Sequence, residues 1–301
     1  MSSKTKRWIA AFAAMQILLY HCWLPVFGSG TVPGKIERFL IASTYPAVDV
    51  FFIISAFALV SRPVDDYLGF IGNRALKLLP LFTIACFAGQ YLWFVPSIMT
   101  MYLVLPPLEK ICKRTPFLSF TLLMAGWMGI TYLILGVIRP ERDAGIFLFR
   151  IPGMILGAYA AGFKSRINIR RALVTGIILF VTGMALVYRF GYFNRLNVPF
   201  RGTFYLLGIP VAFGEILILY ALSGNHSSRL IERFGSMTLE LYFSQMVFGA
   251  FLVRFFAGLT ENRLAANVLT LSSVIISAYV LKYVIDWVMS REPLLPRIIS
   301  G

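Results

Sequence analysis

Tyr20-His21 and the run Ala47-Val48-Asp49-Val50-Phe51-Phe52 carry the groups of this chain best suited to proton chemistry. His21 stands in an otherwise apolar stretch, and Asp49 in the next one, where a charge is costly unless something compensates it. About six residues separate His21 from the end of the first stretch and Asp49 from the start of the second, roughly 9 Å of helix in each case. Matching depth on consecutive antiparallel helices predicts a His21–Asp49 contact. In it the carboxylate orients the imidazole and favours its protonated form, the arrangement of a general base. A purely structural polar contact, or a histidine bonded to a backbone carbonyl, would use the same residues.

Arg74 and Lys77 lie three apart, so a helix places them on one face just before Pro80. Two cations on one face suit a phosphate-bearing ligand, while spacing alone favours an anchor to lipid headgroups. Glu215, Glu240, Asp286 and Arg150 are further ionisable groups in apolar runs. Some of them must pair, and Arg150 enters near Glu141 and Asp143. Gln16 and Gln245 add uncharged hydrogen-bonding groups, and Trp93-Phe94 is an aromatic pair that could line a pocket. His226 sits in a polar loop and is expected to be solvated. No glycine-rich phosphate loop, zinc motif or nucleophile elbow is present, so a soluble-type ATPase or metalloenzyme has no support and no metal is expected.

The elements that must position these groups are apolar. Of the 301 residues 58% are hydrophobic and only 14% charged, with a mean hydropathy of +0.78, a balance found in polytopic membrane proteins and outside the range of a soluble core. The net charge of +15 comes from short basic clusters between apolar runs, which points to anionic lipid and not to nucleic acid. The three cysteines show neither metal nor disulfide spacing. No A-x-A-like cleavage site follows the first apolar run, which reads as a spanning helix.

With roughly 20 apolar residues per span, the runs 8–27, 43–61, 116–138, 146–163, 172–188, 203–222, 237–257 and 264–289 are each one helix. The stretch 28–39 reads as a Gly/Pro-punctuated loop, and 78–108 as two shortened helices meeting near Gly89-Gln90. The total is about ten transmembrane helices in an all-α bundle forming a single domain over 1–301. Lys and Arg gather on the side of the N-terminus, Lys4, Lys6, Arg7, Lys110, Lys113 and Arg114 among them, which predicts both termini in the cytoplasm. Gly153-xxx-Gly157 and Ala125-xxx-Gly129 predict close helix contacts.

The order of these motifs resembles integral-membrane acyltransferase family three. Tyr20-His21 looks like the family's helix-one histidine, and Ala47-Val-Asp49-Val-Phe-Phe-Ile-Ile-Ser55-Ala-Phe57 is similar to its Gly-Val-Asp…Ser-Gly-Phe segment. Phe70-Ile-Gly-Asn-Arg74-Ala-Leu-Lys77-Leu-Leu-Pro80 resembles its Arg-x-x-Arg segment, and Leu92-Trp93-Phe94 with Tyr102-Leu-Val-Leu-Pro106 its Leu-Trp-Phe helix. Phe234-Gly-Ser236 to Tyr242 and Glu292-Pro293 resemble two late motifs. The resemblance implies a multi-pass protein of the plasma or inner membrane that moves an acyl group from cytoplasmic acyl-CoA, acetyl-CoA in the first place. The acceptor it implies is a hydroxyl of a surface or lipid-linked sugar. Arg74 and Lys77 would hold the CoA phosphates, and His21, oriented by Asp49, would deprotonate the acceptor or briefly carry the acyl group. Gln16, Trp93, Phe94, Arg150 and Gln245 would line the pocket.

The chain departs from the family pattern at several points. Ala10 stands where a basic residue is common, Ala56 where glycine follows the serine, Lys77 for the second arginine, and Gln245 for a late histidine. The region between Pro80 and Trp93 is short. A transporter or flippase and an inactive acyltransferase-like scaffold are the alternatives; broken apolar segments with intramembrane charges suit the first, and the departures suit the second.

Overall fold

The computed structural model describes residues 2–61, 64–87, 94–138, 146–162, 168–192, 203–223 and 228–291, and no strand occurs among them. The helices are α1 (Ser3–Cys22), α2 (Val32–Ala42), α3 (Ala47–Ser61), α4 (Tyr67–Phe87), α5 (Phe94–Arg114), α6 (Pro116–Tyr132) and α7 (Ile151–Gly162). They continue as α8 (Ile169–Leu186), α9 (Gly208–Ser223), α10 (Arg229–Ser236), α11 (Thr238–Ser244), α12 (Ala250–Leu259) and α13 (Arg263–Arg291). A π-turn, Gln245–Gly249, joins α11 to α12, so the two cross the bundle as one element.

Among the described residues five stretches are long and apolar enough to cross a membrane: Pro116–Val137, Ile169–Phe190, Tyr205–Ser223, Thr238–Leu259 and Arg263–Trp287. Their bounds lie within a few residues of those expected from hydropathy. Ala47–Ser61 and Ile146–Gly162 are apolar but shorter. Charges set α1, α4 and α5 apart: Lys4, Lys6 and Arg7 open α1, Arg74 and Lys77 sit on α4, and Glu109 to Arg114 close α5.

Three expectations change. The first helix lies upstream of its expected bounds, because the Ser2 hydroxyl caps it by accepting the Thr5 amide and the chain turns extended at Trp23. His21 is therefore in the last turn. The segment expected as a loop contains α2, capped by Thr31 with a proline in its first turn, a favoured helix start. The polar stretch before Pro80 is helical from Tyr67 onward, capped by Asp66 through the Gly69 amide. The supposed short pair is thus two 21-residue helices, while Gly89-Gln90 lies outside the described residues.

Glu37 ties α2 to the end of α1. Its carboxylate accepts the Trp23 indole N–H at 2.8 Å and the backbone amides of Val26 and Phe27. Desolvation pushes this carboxyl up, but the three donors and the Arg263 charge outweigh it and hold it below the usual carboxylate range. A depressed folded value means the clasp stabilises above the unfolded carboxylate pKa and is lost as pH falls through the folded one. The amides of Val26 and Phe27 should therefore lose hydrogen-exchange protection only below the ordinary carboxylate range, and at neutral pH in Glu37→Gln. Protection unchanged by that substitution would refute the clasp.

Inside a bilayer the hydrophobic effect does not drive helix against helix, so close backbone approach carries the packing. Gly153 and Gly157 press α7 onto α3, and a Cβ on Gly157 would lie 2.3 Å from the Ile53 carbonyl oxygen. Gly176 and Gly214 do the same for α8 and α9. Gly157→Ala should cost about 1–3 kcal/mol, read as a fall in the unfolding midpoint in detergent; an unshifted midpoint would contradict this seam. Ala125-xxx-Gly129 makes no such contact: nothing described lies within 4 Å of a Cβ placed on Gly129. α6 is peripheral, its span only 6% buried against 50% for the Tyr205–Ser223 span.

Candidate functional site

α3 stands between α1, α5, α7 and α9, and its two faces do different things. Val48, Phe51 and Ser55 recur at helical spacing and line a cavity of about 230 Å³. Across it stand Ala14 and Ile17 of α1, Arg74 and Leu78 of α4, Phe94, Ile98 and Tyr102 of α5, Thr238, Leu239 and Tyr242 of α11, and Gln245 of the π-turn. A larger cavity of about 590 Å³ adjoins it, lined by Lys6, Asp65, Asp66 and Phe70 among others. Both cavities share Ser55, Arg74 and Tyr102, so these residues form the passage from the charged mouth inward.

Arg74 is held at that passage by aromatic faces. Its guanidinium carbon lies 5.2 Å from the Phe70 ring centroid and 5.3 Å from that of Tyr102, distances at which the ring quadrupole attracts the cation. The inner wall is ordered by rings as well, with Phe94 5.2 Å from Phe52 and 5.0 Å from Tyr242. Lys77 lines neither cavity, although it lies three residues from Arg74; it is exposed. The expected phosphate pair is therefore one cavity cation, because a separation of three still rotates the side chain by about 60° around the axis.

Asp49 is on the other face of α3, and its partner is not His21. Its Oδ2 takes a charge-assisted hydrogen bond from Arg150, both residues being fully enclosed. Tyr205 stacks over the guanidinium at 4.6 Å and Tyr45 at 6.0 Å. Gly208 leaves room for the carboxylate: a Cβ there would come within 3.2 Å of Asp49 Oδ2. The reason is angular. Val48 and Phe51 look toward α1, and Asp49, one residue on from Val48, is turned about 100° away, toward α7 and α9. Glu141 and Asp143 lie outside the described residues, as do Trp93, His226 and Glu292-Pro293.

His21 is exposed in the last turn of α1, its ring edge-on to Tyr20 with centroids 5.1 Å apart. It follows Ala14 and Ile17 at spacings of seven and four, so it extends the cavity-lining face of α1 by one turn. Gln16 leaves the cavity and donates from Nε2 to Glu215 Oε1 at 2.5 Å, joining α1 to α9. Of the expected pocket residues, Phe94 and Gln245 line the cavity and Gln16 and Arg150 do not.

Ser55, Tyr102, Thr238 and Tyr242 line the cavity, although the sequence assigned none of them a role in the site and placed Ser55, Tyr102 and Tyr242 only within family-like motifs. Ser55 carried a usable signal, a hydroxyl seven residues after Val48 in an apolar run. An aromatic or threonine side chain between helices carries none, since packing uses the same types. Among the described residues no group of three His, Cys, Asp or Glu gathers to hold a metal ion.

A family model described as an acyltransferase domain matches residues 89–287. The match contains Phe94, Tyr102, Arg150, Thr238, Tyr242 and Gln245, and begins after the helices that carry His21, Asp49 and Arg74. No curated protein and no solved structure matched the chain.

Proposed function

Because the chain belongs to the acyltransferase family whose domain model covers two thirds of it, and is a membrane protein of that class, we propose a specific transfer. It moves an acyl group, acetyl in the first place, from cytoplasmic acyl-CoA to a hydroxyl of a surface or lipid-linked glycan. The observation that carries this is the pair of adjoining cavities that share Arg74. They run from a mouth with Lys6 and Arg74 to the α1 face that His21 extends.

Size divides the donor between them. About 590 Å³ at the mouth admits a nucleotide, and about 230 Å³ within admits only a slender arm. Arg74 offers a planar fork of donors to a phosphate. Lys6 and Arg74 are the cations lining the mouth, beside Asp65 and Asp66, the latter capping α4 through the Gly69 amide. At the inner end the acceptor hydroxyl attacks the thioester carbonyl. The carbon–oxygen bond forms, the carbon–sulfur bond breaks, and His21 takes the hydroxyl proton and returns it to the departing thiolate. Asp49 acts at one remove in this reading. Bound to Arg150, it locks α3 to α7 and so fixes Val48, Phe51 and Ser55 in the cavity wall.

The test is transfer of label from radiolabelled acetyl-CoA to the glycan and lipid-linked fractions of membranes carrying the protein. Absence of transfer by the wild-type chain on every acceptor fraction would overturn the proposal. Arg74→Ala should raise the KM for acyl-CoA roughly 10–100-fold through loss of a charge-assisted contact, with kcat changed far less. Lys77→Ala should change KM less than threefold. Equal effects of the two substitutions would contradict the cavity assignment.

A further inference from the structure

Gln245 is a buried polar residue of the inner cavity whose amide oxygen, like the Tyr242 hydroxyl beside it, is given no hydrogen bond by the described residues. Only 4% of the residue is exposed, it lines the cavity, and its Oε1 has no partner among the described residues. An enclosed amide oxygen without a donor is costly and uncommon unless a ligand or water completes it. Its place in the chain is also unusual. Gln245 opens the π-turn between α11 and α12, and π-turns inside helices recur at functional sites. Gly249, which closes that turn, packs so near α1 that a Cβ would lie 2.8 Å from Cys22 Sγ. The turn is thus pinned against the helix that carries His21.

The rest of the inner wall says what the partner must be. It is largely apolar, with Ala14, Ile17, Val48, Phe51, Leu78 and Ile98 facing the cavity, so the occupant is a mostly apolar thread. Gln245 stands seven residues beyond Thr238, about 10 Å deeper along α11. Arg74 also borders the outer cavity, which Gln245 does not line, so a group that meets Gln245 lies inward of phosphates held at Arg74. The pantetheine arm of coenzyme A fits this description, being aliphatic and interrupted by secondary amides whose N–H groups need acceptors once they leave water.

Resting on the acyl-CoA reading above, we infer that Gln245 is the hydrogen-bond acceptor for an arm amide of the donor, the contact that fixes how far the thioester advances toward α1. It is a positioning residue and touches neither the nucleotide nor the reacting carbonyl.

The experiment uses the full-length protein in detergent, with CoA and adenosine 3′,5′-bisphosphate as probes. Gln245→Met should weaken CoA binding about tenfold, the effect of one lost amide hydrogen bond, and leave the bisphosphate affinity unchanged. Arg74→Ala should weaken both. Equal losses for both ligands in Gln245→Met, or no loss for either, would overturn the inference while leaving the acyl-CoA reading standing. Failure of the wild-type chain to bind CoA would overturn that reading and this inference with it. A CoA analogue with N-methylated arm amides tests the same contact on the wild-type fold. It should bind wild type about tenfold more weakly than CoA and Gln245→Met no more weakly than CoA does, and an equal penalty on both chains would overturn the assignment.

Discussion

His21→Ala is expected to cut acyl transfer by roughly two to four orders of magnitude, the range for a lost general base, while acyl-CoA binding holds within about threefold. The expectation follows from where His21 sits. The residue is exposed in the last turn of α1, and its ring contact is with the neighbouring Tyr20. Removing such a side chain leaves the packed face of α1 (Ile9, Ala13, Ile17, Leu18) untouched. The inner cavity ends one turn short of it at Ile17. Loss of rate should therefore come without loss of fold or of donor affinity. The measurement is single-turnover transfer of labelled acetyl at saturating donor, beside CoA affinity on the same preparation. Turnover retained within fivefold would remove His21 from the reaction.

Arg150→Met should act on stability first, at about 3–5 kcal/mol, because it leaves the Asp49 carboxylate enclosed without a counter-charge. The two residues are the only fully enclosed ion pair found among the described residues, with side chains 3% and 0% exposed. Such a pair contributes little net stability when whole, since desolvation offsets attraction, yet is expensive to break. The double variant Asp49→Leu with Arg150→Met should accordingly recover most of the loss, within about 1.5 kcal/mol of wild type. Unfolding midpoints of the four proteins in one detergent give the coupling directly. Additive effects of the two substitutions would show that the pair is not coupled. Placed beside His21→Ala, this series separates the functions that spacing alone had joined, with the imidazole tested by rate and the carboxylate by stability.

Hydropathy by itself located the spans over Pro116–Val137, Ile169–Phe190, Tyr205–Ser223, Thr238–Leu259 and Arg263–Trp287, because a bilayer-facing helix must be apolar around most of its surface. It was least informative for α1, α4 and α5, which line the cavities and can carry Lys6, Arg74 and Tyr102 toward an interior that is not lipid. The ordered motifs named the acyltransferase family that the domain match over 89–287 shows. They also named His21, Asp49, Arg74, Phe94 and Gln245 as residues to watch. The α3 sequence contained both of its faces, Val48-Phe51-Ser55 and Asp49-Ile53, but not which neighbour each would meet.

Partner choice was what only the tertiary structure decided. Depth along a helix is linear in sequence at about 1.5 Å per residue, so the sequence could assign His21 and Asp49 an expected level, as far as the helix ends were known. Azimuth advances about 100° per residue and acquires meaning only against a neighbour in three dimensions. Asp49 reached Arg150, a hundred residues away in the chain, because Gly153 and Gly157 let α7 close onto α3 and Gly208 leaves space beside the carboxylate. The same rotation put Ser55 and Arg74 at one passage and turned Lys77 away from it.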